Sequence, residues 1–207
     1  IVNCAARTRS IIGAAALRRL GLTNVRALRN GTMGWVLAGY ELETKPARRG
    51  STPASEAQAV AAARQIADEE KLAWTTPEKL SDVTAHAADG VNYLIDVRSE
   101  AEFAAGHIEG ALNVPGGQAV QRADDFVPVR NGRIVFVSNQ SARAVMAAYW
   151  YGQMGFKHVS VLQGGLEAWQ GSGAKLVTGV SASEPSGFDS AKRGARIIDA
   201  TKLRQLR

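Results

Sequence analysis

The stretch Arg133 to Val145, RIVFVSNQSARAV, decides the architecture. Its first half, IVFV, is a short run of β-branched and aromatic residues bounded by polar ones, the pattern of a buried strand. From Ala142 the apolar residues change to helical spacing, and the pattern continues to Met154. The chain must therefore pass from strand to helix within the short loop SNQSAR. Such a turn brings successive backbone N–H groups and the helix N-terminus round to face the first loop side chain, here Ser138. The geometry makes an anion cradle.

Working outward, YLIDV (Tyr93 to Val97) and HVSVL (His158 to Leu162) also read as strands, and ALNVP gives another short extended run. Ser99 and Glu102 have the spacing of a capping box for a short helix, and GGLEAW opens a closing one. Strands alternating with helices at this spacing predict an α/β fold: a parallel sheet with helices on both faces. In such sheets ligands bind beyond the carboxyl ends of the strands, where Asp96 and Ser138 fall.

The unit is duplicated. With Cys4 laid on Ser138, a shift of 138 − 4 = 134, the register holds without a gap. Arg9 falls on Arg143, Gly21 on Gly155, Gly31 on Gly165, Trp35 on Trp169 and Leu42 on Leu176. A shorter match sets LAWTTPEKL (Leu72 to Leu80) against ARIIDATKL (Ala195 to Leu203), each read as a strand, a polar cap and a helix start. The expected organisation is the back half of one unit over residues 1–44 and a linker with a connecting helix over 45–71, where Thr52 before Pro53 offers the helix start. A complete unit follows over 72–178, then a linker and the first strand of a further unit over 179–207. The chain reads as a window on a tandem array.

The opening loop, CAARTR, carries the chemistry. A cysteine at such a turn has its thiolate stabilised by the helix dipole and by nearby guanidinium groups, which makes it a nucleophile near neutral pH. Arg7 and Arg9 supply those charges, and Ala5, Ala6 and Thr8 the cradle amides. The other reading of Cys4, a small buried hydrophobe, stays open.

With these residues in view, the chain resembles the rhodanese-like family. LIDVRSEAEFAAGHIEGALNVP is similar to that family's first motif, and IVFVSNQSAR followed by GFKHVSVLQGGLEAW to its active-site loop and closing segments. The opening residues resemble the back half of a second such domain, and the whole a stretch of a tandem rhodanese-related sulfurtransferase. The resemblance implies rhodanese-like tandem units and a persulfide mechanism without a cofactor or metal. Sulfane sulfur would pass from a small sulfur-containing anion such as thiosulfate, through Cys4, to a thiol or cyanide acceptor. It implies substrate contacts from Ala5, Ala6, Arg7, Thr8 and Arg9, scaffold roles for Asp96 and Arg98, and neighbouring rhodanese-like units as partners.

The complete unit departs from the family at the decisive position. Ser138 stands where the cysteine should be, so Ser138, Asn139, Gln140, Ser141, Ala142 and Arg143 read as a degenerate loop, silent in sulfur transfer. Arg7 and Ser141 stand where the family often has glycine.

The remaining signals exclude more than they add. A serine hydrolase on Ser138 would need GxSxG, which VSNQS lacks, and LQGG has no nucleotide-binding spacing. A related cysteine-loop phosphatase would need one more loop residue than CAARTR has. His107 has no histidine or carboxylate at metal or triad spacing and reads as structural, while Arg98 could pair with Glu102. Trp35 and Trp169 are expected in the core, and Tyr149, Trp150 and Tyr151 put one helix face in the core and offer the other to a neighbouring unit. The net charge of +6 is concentrated before residue 50, where only Trp35 and Tyr40 are aromatic; that is not the interleaved pattern of a nucleic-acid face. No apolar run is long enough to span a membrane. The lone cysteine and the lack of a leader pattern make the cytoplasm the expected location.

Overall fold

A computed structural model of the chain describes residues 1–44, 56–85, 92–179, 188–195 and 198–206. Its centre is a wholly parallel five-stranded sheet. The strands are β1 (Ala73–Thr75), β2 (Asn92–Asp96), β3 (Leu112–Asn113), β4 (Arg133–Val137) and β5 (Val159–Leu162), in the order β1-β5-β4-β2-β3. Leu94 pairs with Val135 and Asp96 with Val137, so the ends of β2 and β4 lie side by side.

The period of two along β4 builds two cores. Ile134 and Phe136 face one side, where they pack with α3 (Glu56–Glu69), α6 (Gly116–Gln121) and α8 (Ala142–Gln153). Val135 and Val137 face the other, against Leu80 of α4 (Pro77–Ala85) and Leu166 and Trp169 of α9 (Gly165–Gly171). Helices therefore cover both faces, as the alternating pattern requires. Between β2 and β3, α5 (Glu100–Ala105) starts on the expected capping box: the Ser99 hydroxyl accepts the Glu102 amide, and the Ser99 amide donates to Glu102 Oε2 at 2.9 Å. Such a cap is worth about 1 kcal/mol. The short α7 (Ala123–Phe126) closes the path to β4.

The first 44 residues form α1 (Thr8–Arg19) and α2 (Gly31–Leu37). Shifted by 134, these coincide end to end with α8 and α9. The parallel bridge Val2–Ala27 likewise falls on the β4–β5 pair Phe136–Val161. At both Gly31 (φ 56) and Gly165 (φ 60) a Cβ would strike the carbonyls of the loop at the preceding strand end, Cys4 and Ala6 in one case, Ser138 and Asn139 in the other. Only glycine fits that left-handed, crowded position. α1 packs on α6, and Arg19 reaches Glu69 at the end of α3 and Glu70 just after it at 2.6 and 3.1 Å and lies over the Tyr149 ring. Of the aromatic cluster, Tyr151 is core, while Tyr149 and Trp150 face this junction, Trp150 lining the cavity between α1 and α8.

Two expectations need correction. Trp169 is buried (7% exposed), but Trp35 is 40% exposed, although each indole N–H keeps the matching bond, to Lys175 O and Glu41 O. The residues that cover Trp169, such as Leu80 and Ile108, have no counterpart around Trp35 among the described residues. In the tail, Ile198 and Asp199 form no strand; Ile198 is exposed, and Asp199 caps a helix, α11 (Ala200–Gln205), by accepting the Lys202 amide at 2.7 Å. The matching β1 is a strand because β5 pairs with it, and among the described residues no strand pairs with Ile198. A further helix, α10 (Phe188–Gly194), precedes α11. The expected helix start at Thr52 and Pro53 lies outside the described residues.

Candidate active site

Cys4 stands at the end of the Val2 strand position, and its loop is pinned to α2: Thr32 donates to Cys4 O and Met33 to Ala5 O, both at 2.9 Å. Ala5, Ala6, Arg7, Thr8 and Arg9 are exposed, and Cys4 is half-buried. Partial withdrawal from water pushes the thiol upward and is the largest single influence. The Ser10 hydroxyl, the amides of Ser10 and Ala6 and the Arg9 charge together outweigh it, so the thiol lies below its ordinary value. The Ser10 hydroxyl also donates to Arg7 O at 2.8 Å; a hydroxyl has one proton and rotates freely, so it can turn to the sulfur when the thiol ionises.

Ser10 was not among the residues singled out from sequence. The register contained the signal, because Ser10 falls on Ala144, whose amide donates to Ser138 Oγ at 3.2 Å. The same helix amide thus meets a sulfur in one loop and an oxygen in the other.

The surroundings of that oxygen differ. Ser138 is 1% exposed, and its carbonyl accepts the Leu166 amide at 3.0 Å. Its loop neighbours are bonded within the unit: Asn139 Oδ1 accepts from Arg98 at 3.2 Å, and Gln140 donates to Glu167 at 2.8 Å. Ser141 takes a left-handed conformation (φ 69) and donates to Leu162 O at 3.0 Å, whereas Arg7, its counterpart, has φ −136. The two loops part company at that residue. Arg143 closes on Glu102 with bonds of 2.6 and 2.9 Å, and this guanidinium, followed by the Ser99 contacts, holds the Glu102 carboxyl well below the usual range. Ala142, between these two residues, is the first residue of α8.

Asp96 and Arg98 form a buried pair with bonds of 2.6 to 3.0 Å, and Arg98 also donates to Gly106 O at 2.6 Å. Arg98 therefore does not reach Glu102 as its spacing suggested: the Asp96 carboxylate beside it offers a fork-to-fork fit, which leaves Glu102 to Arg143. His107 Nδ1 bonds with Phe103 O at 2.9 Å and its ring stacks on Phe103, a structural placement.

Arg9 sits where the two halves of the chain meet. With Ile12, Gly13, Gly117, Met146 and Trp150 it lines a cavity of about 410 Å³ between α1, α6 and α8. Its charge reaches Cys4 while its stem lies beside Gly117 of α6. The structure thus assembles two groups: Cys4 with Ala6, Arg9 and Ser10, and Ser138 with Asn139, Asp96 and Arg98. Among the described residues no set of three His, Cys, Asp or Glu gathers as a metal site, and no helix is long and apolar enough to cross a membrane.

Comparison with known proteins adds to this geometry. Residues 78–172 match the model of a family described as Rhodanese-like domain. A putative sulfurtransferase of Bacillus subtilis, YtwF, is 32% identical over 84 residues, covering 41% of this chain and 79% of that protein. An uncharacterized protein of the same organism, YqhL, is 38% identical over 79 residues, 38% of this chain and 60% of that one. The crystal structure of a thiosulfate sulfurtransferase from Pseudomonas aeruginosa superposes with a TM-score of 0.73 at 40% identity over 88% of this chain. This chain spans 34% of that one.

Proposed function

This chain belongs to the rhodanese-like domain family, and on that footing we propose that it is part of a sulfurtransferase whose sulfur carrier is Cys4. The observation that carries the reading is the Cys4 thiol itself: half-exposed at a strand end, over the first turn of α1, and held below its ordinary value by Ser10, Ala6 and Arg9. The likeness to the Pseudomonas thiosulfate sulfurtransferase points to thiosulfate as donor.

The thiolate attacks the outer sulfur of thiosulfate. A bond forms between Sγ and that sulfur, the sulfur–sulfur bond of the donor breaks, and sulfite leaves with the electron pair. The persulfide then gives its terminal sulfur to cyanide or to a thiolate, and the Cys4 thiolate is regenerated with no net change in protons or electrons. Cradle amides and the charges of Arg7 and Arg9 bind the anion and the developing negative charge. No cofactor takes part, and the setting we propose is the cytoplasm.

The Ser138 loop is, in this reading, catalytically silent. A buried alcohol whose oxygen receives the Ala144 amide has no hydrogen-bonded base among the described residues and cannot hold a transferable sulfur. We read the chain as the closing part of one unit over 1–44, a linker and connecting helix over 45–71, a complete silent unit over 72–178, and a linker leading to a further unit over 179–207. The second reading, that both units are binding modules, draws support from the closed Ser138 loop alone.

Thiocyanate formation from thiosulfate and cyanide tests the proposal. Wild type and Ser138→Ala should turn over alike, and Cys4→Ser should not turn over at all. Activity that survives Cys4→Ser would remove the proposed carrier.

A further inference from the structure

The last turn of α1 meets the complete unit through three partners of one side chain. Arg19 donates to Glu69 at 2.6 Å and to Glu70 at 3.1 Å, and its guanidinium carbon lies 5.7 Å from the centre of the Tyr149 ring. Leu20, next in the chain, packs against the core of that unit. Under the 134-residue shift Arg19 falls on Gln153 and Leu20 on Met154. Gln153 also donates to Glu70, at 3.2 Å, and Met154 packs against the same core. The matching ends of α1 and α8 therefore converge on one carboxylate and one apolar cluster.

A planar guanidinium shared between two carboxylates and a ring is held in one orientation, as a lone surface pair is not. From that anchor α1 runs as one uninterrupted helix to the Cys4 loop. Arg9, Gly13, Ala16 and Leu20, three and four residues apart, lie on the side of α1 that faces α6 and α8. At the near end of that stripe the Arg9 stem lies beside Gly117, and its charge reaches Cys4. The complete unit thus touches α1 at both ends, and the end that carries the chemistry is aimed by the end that is anchored.

We propose that Arg19 is a positioning residue for Cys4, and that the complete unit is the platform on which Arg19 holds α1 and the Cys4 loop. Arg19 lies at the opposite end of α1 from that loop and acts through the helix between them. When the anchor is loosened α1 swings, Arg9 leaves its place near the sulfur, and the thiolate loses that share of its stabilisation. A platform needs no nucleophile: Ser138 is dispensable to it, while Glu69 and Glu70 are not. The inference rests on the reading of Cys4 as sulfur carrier for its use, but not for its contacts.

Charge exchange across the junction tests it. Arg19→Glu sets a third carboxylate against Glu69 and Glu70. Hydrogen exchange of α1 should quicken while that of β4 stays as it was, because only the anchored helix opens more often. The midpoint of Cys4 alkylation against pH should move up, lowering the thiolate fraction at neutral pH by about twofold or more, the scale that a partly exposed ion pair transmits. Glu69→Arg on that background restores opposite charges at the wild-type net charge and should return both readouts. Arg19→Lys keeps the charge without the fork and should fall between wild type and Arg19→Glu.

All of these are measured in about 0.15 M salt, where charges a helix length apart are screened, so the midpoint follows geometry and not the distant charge itself. A residue that only stabilised its own helix would not be rescued from α3. A midpoint unmoved by Arg19→Glu, or moved and not returned by Glu69→Arg, would overturn the proposal, as would α1 exchange that Arg19→Glu leaves unchanged. A wild type that takes no sulfur from thiosulfate would refute the carrier reading alone, since alkylation and exchange judge the anchor without it.

Discussion

Gly165 and Gly31 offer a matched pair of perturbations. At Gly165→Ala the new methyl group would collide with the Ser138 and Asn139 carbonyls while φ stays near 60. The left-handed conformation costs an alanine about 1 to 2 kcal/mol. Forcing the carbonyls aside is an overpacking term of about 1 to 3 kcal/mol. The carbonyl that must move from Ser138 also accepts the Leu166 amide, so α9 and its buried Trp169 shift with it. A total of about 2 to 5 kcal/mol, at about 2 to 4 °C per kcal/mol for a chain of this size, lowers the melting temperature by on the order of 10 °C. Gly31→Ala makes the same collision with Cys4 and Ala6, but it acts on a half-exposed unit. It should cost much less melting temperature and should instead slow Cys4 alkylation, because the Cys4 carbonyl and its sulfur move together. Calorimetry of both variants beside iodoacetamide kinetics reads out the pair. A Gly165→Ala protein that melts within about 2 °C of wild type would refute the claim that this turn is sterically closed.

Three further outcomes follow from named contacts. Asp96→Ala strips the buried Arg98 of its carboxylate and should cost about 3 to 5 kcal/mol in denaturant unfolding, the usual penalty for an uncompensated buried charge; an undiminished midpoint would contradict the pairing. Cys4 alkylation should rise through a midpoint below that of an unstructured cysteine, because the folded thiol is depressed, and Ser10→Ala should move the midpoint back up; a midpoint at or above that of an unstructured cysteine would contradict the environment described. Glu102 is depressed by Arg143, so the stability it contributes is full above the unfolded carboxylate range and fades as pH falls below it. Because Glu102 is 34% and Arg143 48% exposed, Glu102→Gln should cost no more than about 1 kcal/mol at neutral pH and flatten that acid-side loss in pH-dependent unfolding curves.

Most of the fold was legible where local pattern and tertiary need agree. IVFV alternates between two cores, Ser99 and Glu102 close their capping box, and the repeat register carried α8 and α9 onto α1 and α2 without error. What failed depended on neighbours. Among the described residues, Trp35 has the sequence surroundings of Trp169 but not its cover, and Ile198 has those of a strand but no partner strand to bond it. Periodicity records what a segment could bury, not what is there to bury it. At the site, the spacing places Cys4 and Ser138 at matching strand ends, and the structure puts them there. The choice of Asp96 over Glu102 by Arg98 turns on side-chain geometry at a strand end, and Ser10 was hidden because its role is played by its backbone and hydroxyl together.

The most direct test of Cys4 as sulfur carrier is the intact mass of the reduced, folded protein after incubation with thiosulfate and removal of the donor, beside Cys4→Ser. The account predicts one added sulfur atom on the wild type, none on the variant, and its complete discharge by cyanide. A folded, reduced wild type that gains no sulfur, or a Cys4→Ser protein that gains it, would contradict the account.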